Sequence, residues 1–200
     1  MPVPFPKTLP ALVIVVGNPR PDSRTAALAL EVGRTLARLL PAAEPVVLDL
    51  ARLTEHLGAP LGAGSSERWA EPLATLHSAD LIVVATPTYK GSYTGLLKSF
   101  LDHVGGGALR GISAIPITTV GSPAHTLAAD VHLRPLLVEL GASTPTGALV
   151  VGNDQLDAPA EAVAAWVERN LDPLRRALTP VAESTGPAPS LAGAAPSGSA

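Results

Sequence analysis

Ala11-Leu-Val-Ile-Val-Val16 runs straight into Gly17-Asn-Pro-Arg-Pro-Asp-Ser-Arg-Thr25, and this junction decides the fold. Six apolar residues without a polar break suit a strand covered on both faces. After the Gly/Pro-punctuated loop, Leu28, Val32, Leu36 and Leu39 recur at helical spacing and give one apolar face to a helix over about 23–40. Strand, loop and amphipathic helix in that order form the first half of a right-handed crossover. The same alternation continues along the chain. Further strands are expected at Val46–Leu50, Leu81–Ala85, Ile112–Thr119 and Gly147–Val151, and further helices at about Glu67–His77, Thr94–Val104, Thr126–Leu140 and Ala160–Leu178. Strand and helix alternating in this way imply a doubly wound α/β domain, a five-stranded parallel sheet with helices on both faces. The expected strand order is 2-1-3-4-5, with a ligand beyond the carboxyl ends of the strands near the first and third.

Outside that frame the composition bounds what the chain does. Its 200 residues, 46% of them hydrophobic, suffice for one domain with a real core, expected over 11–178. An irregular N-terminal arm is expected over 1–10, where four prolines precede the first strand, and a disordered Pro/Ala/Ser/Gly tail over 179–200. A formal net charge of -3 supplies no broad positive field, which disfavours nucleic acid as a partner. No apolar run approaches the roughly 20 residues of a membrane span, so no membrane association is expected and the location is read as cytoplasmic. With no cysteine, disulfides, thiolate metal sites and a Cys nucleophile are excluded, and any redox chemistry comes from a bound cofactor.

The first loop has the makings of an anion cradle. A helix start offers unpaired N–H groups and the positive end of the helix dipole, and Asn18, Arg20, Ser23, Arg24 and Thr25 surround it. Gly17 is its only glycine and no Lys follows, so it is neither a dinucleotide fingerprint nor a Walker loop. Taken by itself it is equally an ordinary helix start, capped by Asp22 or Ser23, with two solvated arginines. The third strand ends in Pro87-Thr-Tyr-Lys-Gly-Ser92, where Gly91 permits close backbone approach to a flat ligand, Tyr89 offers an aromatic surface and Lys90 adds positive charge. Alone, this loop too reads as a strand-to-helix turn capped by Ser92 or Thr94. The fourth strand leads into Thr119-Val-Gly-Ser122, which either closes the other flank of such a ring or simply starts a helix. All three loops leave the same sheet edge. A phosphate cradle beside a planar slot describes a mononucleotide, and FMN is the natural candidate in this arrangement.

Gly17-Asn-Pro-Arg-Pro-Asp-Ser-Arg-Thr25, Ala85-Thr-Pro-Thr-Tyr-Lys-Gly-Ser-Tyr-Thr-Gly-Leu-Leu-Lys-Ser-Phe-Leu-Asp102 and Gly121-Ser-Pro-Ala-His-Thr-Leu-Ala-Ala-Asp-Val-His-Leu-Arg-Pro135 together resemble the NAD(P)H-dependent FMN reductases. The nearest likeness is to the group that supplies reduced flavin to two-component alkanesulfonate monooxygenases, and it covers about 12–178. The resemblance implies a flavodoxin-like fold, FMN as flavin and NADPH or NADH as hydride donor. It implies that Asn18, Arg20, Ser23, Arg24 and Thr25 hold the phosphate. Pro87, Thr88, Tyr89, Lys90, Gly91 and Ser92 would line the ring, with Thr119, Val120, Gly121 and Ser122 completing the pocket. It implies a homodimer or homotetramer, with Trp69 and the helix at 94–104 as interface elements, and a partner monooxygenase. Asn18 stands where the family often has Ser, and Val120-Gly121-Ser122 where relatives read Gly-Gly-Thr. Some relatives insert a Tyr that makes a π-bulge in the helix containing Asp130; Val131 and His132 stand there, so the resemblance implies neither bulge nor assembly from this segment.

Hydride transfer demands stacking and orientation, so no catalytic acid or base is nominated. The five histidines form no metal motif and no metal site is expected; Gly105-Gly-Gly107 reads as a connector, and Ser65-Ser66 lies in no nucleophile elbow. Two readings compete with a flavin reductase: a flavodoxin-type electron carrier, and an enzyme that keeps FMN and reduces a quinone, azo dye or metal ion. The mild net charge favours the enzyme, since carriers dock through strongly acidic surfaces.

Overall fold

The computed structural model describes residues 11–40, 42–56 and 66–179; the arm expected over 1–10 and the tail expected from 180 onward lie outside them. Five strands, β1 (Leu12–Val16), β2 (Val46–Asp49), β3 (Leu81–Pro87), β4 (Ser113–Val120) and β5 (Leu149–Gly152), form one sheet in the order β2-β1-β3-β4-β5. Every pairing is parallel, and Val16 stands beside both Asp49 and Ala85, Pro87 beside Thr119, and Val120 beside Gly152. The carboxyl ends therefore share one edge. Helices α1 (Arg24–Leu39), α2 (Ser66–His77), α3 (Gly95–Leu101), α4 (Arg134–Glu139) and α5 (Ala160–Leu178) complete the flavodoxin-like architecture.

Strand alternation divides the core into two layers. Leu12, Ile14 and Val16 of β1, with Val83, Ile115 and Val151, pack beneath Leu28, Val32 and Leu36 of α1 and Val163 and Trp166 of α5. Val13, Val15, Ile82 and Val84 pack on the opposite face against Trp69, Leu76, Phe100, Leu101 and Leu137. Each fully buried side chain of this size contributes about 1.5–3 kcal/mol. Gly33 lets α1 settle onto the sheet, because a Cβ there would stand 2.5 Å from Ile14 Cδ1.

Three expectations are corrected. The second strand is not covered on both faces: Val46 and Val47 are 51% and 42% exposed, because β2 is one of the sheet's two outer strands and an open cleft lies over these side chains. Trp69 is not an interface residue, being fully buried with its ring centroid 5.3 Å from those of both Phe100 and His103. The helix expected over 126–140 is a 3-10 turn at Pro123–His125, a π-helix at Ala129–Leu133 and then α4. The Arg134 N–H donates to the Ala129 carbonyl five residues back, so the π turn is present without a Tyr. Within the turn Ala129 and Leu133 are buried while Val131 faces water at 57% exposure. Arg134 fixes the turn, donating to Asp130 Oδ1 at 2.8 Å and to the Thr144 and Thr146 carbonyls at 3.2 and 2.8 Å.

Candidate functional site

The first loop begins as an extension of the sheet, with the Gly17 N–H donating to the Ala85 carbonyl at 2.7 Å. The Asn18 side-chain oxygen accepts from the Arg20 N–H at 2.9 Å, which turns the chain, and its amide donates to Thr25 Oγ1 at 3.1 Å. Thr25 Oγ1 stands 3.2 Å from Thr119 Oγ1, so the base of the cradle is stitched to the end of β4. Ser23 caps α1, accepting from the Ala26 N–H at 3.2 Å. At the loop's crest Asp22 adopts a positive φ of 53°.

The second loop is tied to the first through Thr94. Its hydroxyl donates to the Gly17 carbonyl and accepts from the Leu97 N–H, while its own N–H donates to Thr86 Oγ1 at 3.1 Å. Tyr89 and Ser92 exchange backbone hydrogen bonds of 2.8 and 3.1 Å around Lys90 and Gly91. These two have φ of 52° and 81°, the positive pair that a type I′ turn requires. Thr88 donates through its N–H to the Thr119 carbonyl at 2.9 Å, yet its buried hydroxyl has no partner among the described residues. The third loop is braced by the Asn153 N–H, which donates to the Val120 carbonyl at 3.1 Å.

A cleft of about 320 Å³ collects Asn18, Arg20, Ser23, Arg24, Thr25, Pro87, Tyr89 and Thr119 of the expected site. Val120, Gly121 and Ser122 line a neighbouring cleft of about 440 Å³ instead, while Thr88, Lys90, Gly91 and Ser92 line neither. A larger cleft, about 740 Å³, lies behind the cradle between α1, β2 and α2, with Asp22 and Ser23 common to both. Sequence reasoning missed Asn153 and Leu156, which close the cradle from the β5 side. Arg24 Nη1 lies 3.4 Å from the Asn153 carbonyl and 3.5 Å from Asp157 Oδ1. The signal was available: Gly152-Asn-Asp-Gln-Leu-Asp157 follows the fifth strand at the same ligand-bearing edge. Among the described residues no cluster of three or more metal-ligating side chains occurs, and no helix is long and apolar enough to cross a membrane.

Residues 10–156 match the family model of the NADPH-dependent FMN reductases. The chain belongs to that family. The matched span of this reductase carries the first three loops whole and ends at Leu156, a lining residue of the cradle. The NADH-dependent FMN reductase SfnE of Pseudomonas putida is 37% identical over 129 residues, 64% of this chain and 68% of that protein. An FMN reductase (NADPH) of Pseudomonas aeruginosa is 36% identical over 126 residues, 62% of this chain and 67% of that one. Among solved structures, the apo form of the NADH:FMN oxidoreductase EMOB superposes with a TM-score of 0.72 at 34% identity, covering 85% of this chain and 90% of that one. The reductase is thus an oxidoreductase that works with FMN and NAD(P)H.

Proposed function

We propose that the 320 Å³ cleft holds the phosphate end of FMN, that the turn at Pro87–Ser92 and the segment Thr119–Ser122 flank the flavin ring, and that reduced FMN leaves for a flavin-dependent monooxygenase. The observation that carries the reading is the junction of Asn18, Thr25 and Thr119, which ties the loop bearing Arg20, Arg24 and a capped helix start to the end of β4 beside the ring turn. The residues suit the group. Arg20, Arg24, Ser23 and Thr25 are donors for a phosphate, at about 1.5–3 kcal/mol for each hydrogen bond to a charged partner.

Bound FMN supplies the hydride acceptor for NAD(P)H. The chain's own work is positional: Ser23, Arg20 and Arg24 anchor one end, and the rigid Lys90-Gly91 turn presents backbone N–H groups at the other. Purified protein is expected to oxidise NAD(P)H only when FMN is added, and gel filtration is expected to strip the flavin. Tightly retained FMN with no NAD(P)H oxidation would instead mark an electron carrier. Arg24→Ala, removing one charged contact of about 2 kcal/mol, is expected to weaken FMN about 30-fold and leave riboflavin unchanged.

A homo-oligomer belongs to the same proposal. Leu127, Val131 and Val138 are 67%, 57% and 53% exposed around the π turn, and a second copy is the partner proposed for them. Light scattering tests this, and a monomer refutes it. The cytoplasm is the proposed location, where a soluble NAD(P)H pool is at hand.

A further inference from the structure

Asp22 is the single acidic residue in the loop from Gly17 to Thr25, and it lines the same cleft as Arg20, Ser23 and Arg24. A carboxylate at the rim of an anion site opposes the anion. This one is already engaged. Arg52, in the 3-10 segment Leu50–His56 that follows β2, brings Nη2 to 2.7 Å from Asp22 Oδ1 and 2.9 Å from Oδ2. Arg52 is itself steered from below: its Nε lies 3.6 Å from Oδ2 of Asp49, whose side chain is only 11% exposed and whose Oδ1 accepts from the Ala51 N–H at 3.2 Å. Arg52 lines the larger cleft behind the cradle and not the cradle itself, so it pulls on Asp22 from the side away from the proposed phosphate.

We propose that Arg52 is a positioning residue for flavin binding, neutralising the Asp22 carboxylate and holding the crest of the cradle in its left-handed turn so that Asp22 does not repel a phosphate placed at Arg20 and Arg24. The inference rests on the cradle being the FMN phosphate site. Arg52 and Asp22 have side chains 59% and 82% exposed, and ion pairs so exposed add little to stability. Anion affinity, not melting temperature, is therefore where the pair is read.

Fluorescence titrations of FMN and riboflavin against the full chain, Arg52→Gln, Asp22→Asn and the double variant test this. Asn tolerates positive φ, so Asp22→Asn keeps the turn while removing the charge. Arg52→Gln is expected to weaken FMN on the order of three- to tenfold, to leave riboflavin unchanged, and to lose most of its effect near 1 M salt. Asp22→Asn is expected to bind FMN at least as tightly as the parent, and the double variant to recover to within about twofold of Asp22→Asn. Recovery in the double variant separates charge masking from scaffolding. An Arg52→Gln protein that binds FMN like the parent overturns the proposal, and so does equal weakening of FMN and riboflavin with no recovery. Failure of the underlying reading shows elsewhere, in a parent protein that binds FMN no better than riboflavin.

Discussion

Gly91 and Gly17 are both required, for opposite reasons. At Gly91 nothing lies within 4 Å of an added Cβ, but φ is 81°; at Gly17 a Cβ would lie 2.6 Å from the Cβ of Leu97. The first is a backbone constraint and the second a packing one. Gly91→Ala is therefore expected to destabilise by about 1–2 kcal/mol through conformation alone. Gly91→Asn should regain most of that loss, because Asn enters the left-handed region readily. Urea unfolding of both variants checks it, and an Asn variant as unstable as the Ala one would point to a steric cause. The sequence signalled Gly91 as a place of close backbone approach. It carried no sign that Lys90 shares the left-handed turn at φ 52°, since a long side chain enters that region only when its surroundings hold it there, and Asp22, at 53°, is of a type that visits the region more often but still needs support to stay. In the ring loop those surroundings are the paired backbones of Tyr89 and Ser92, and at the cradle the distant Arg52 contributes.

Among the elements, α3 shows how strand-end loops become one site. Seven residues make no stable helix alone, so α3 depends on burial of Leu97, Phe100 and Leu101 and on the Thr94 cap. Thr94→Val removes the cap's acceptor from the Leu97 N–H and the donor to the buried Gly17 carbonyl, and is expected to cost about 2–4 kcal/mol. Thr94→Ser should keep most of the stability, and chemical denaturation of the pair decides. On the outer face of α3, Lys98 donates to the Asp102 carboxylate, and this hydrogen bond, against a smaller opposing effect of burial, raises the Lys98 pKa above its ordinary 10.5. A raised pKa in the folded state means stabilisation that is complete below 10.5 and fades as pH climbs through the folded value. With Lys98 43% exposed, the gap in stability between the parent and Asp102→Asn is expected to be about 0.3–0.5 kcal/mol at pH 8 and to close in strong alkali. Thermal melts across that range measure it. Periodicity located α5 to the residue and α1 to within one, because both lay a long apolar face on the sheet. It failed at 126–140, where the i to i+5 bond of the π turn shifts the face by a residue that a 3.6-residue pattern does not register.

At the scale of the whole molecule, sheet order was legible and edge exposure was not. Apolar runs separated by amphipathic helices dictate crossovers and parallel strands, but Val46-Val-Leu48 reads the same whether the strand lies in the middle or at the rim. What the central strands do dictate is that the two helical layers stand or fall together. Every residue of β1 is at most 2% exposed, with alternate side chains committed to opposite layers. Stripping either layer would bare one face of β1, β3 and β4 at about 1.5–3 kcal/mol per large side chain, more than the whole stability of an ordinary domain. The chain's two tryptophans report on the two layers separately: Trp69 lies with the α3 side, and Trp166, whose Nε1 donates to the Gly147 carbonyl at 3.0 Å, lies with the α1 and α5 side. Trp166→Phe leaves Trp69 as the only indole, and Trp69→Phe leaves Trp166. In each variant, indole fluorescence and far-ultraviolet circular dichroism are expected to give one coincident urea transition, at fixed protein concentration and without flavin so that binding and assembly do not move the midpoint. A Trp69 signal lost ahead of the dichroism would show the α3 layer opening while the sheet persists. The loops tied through Thr94 would then loosen before the core does, and the ring side of the site would be less rigid than the cradle.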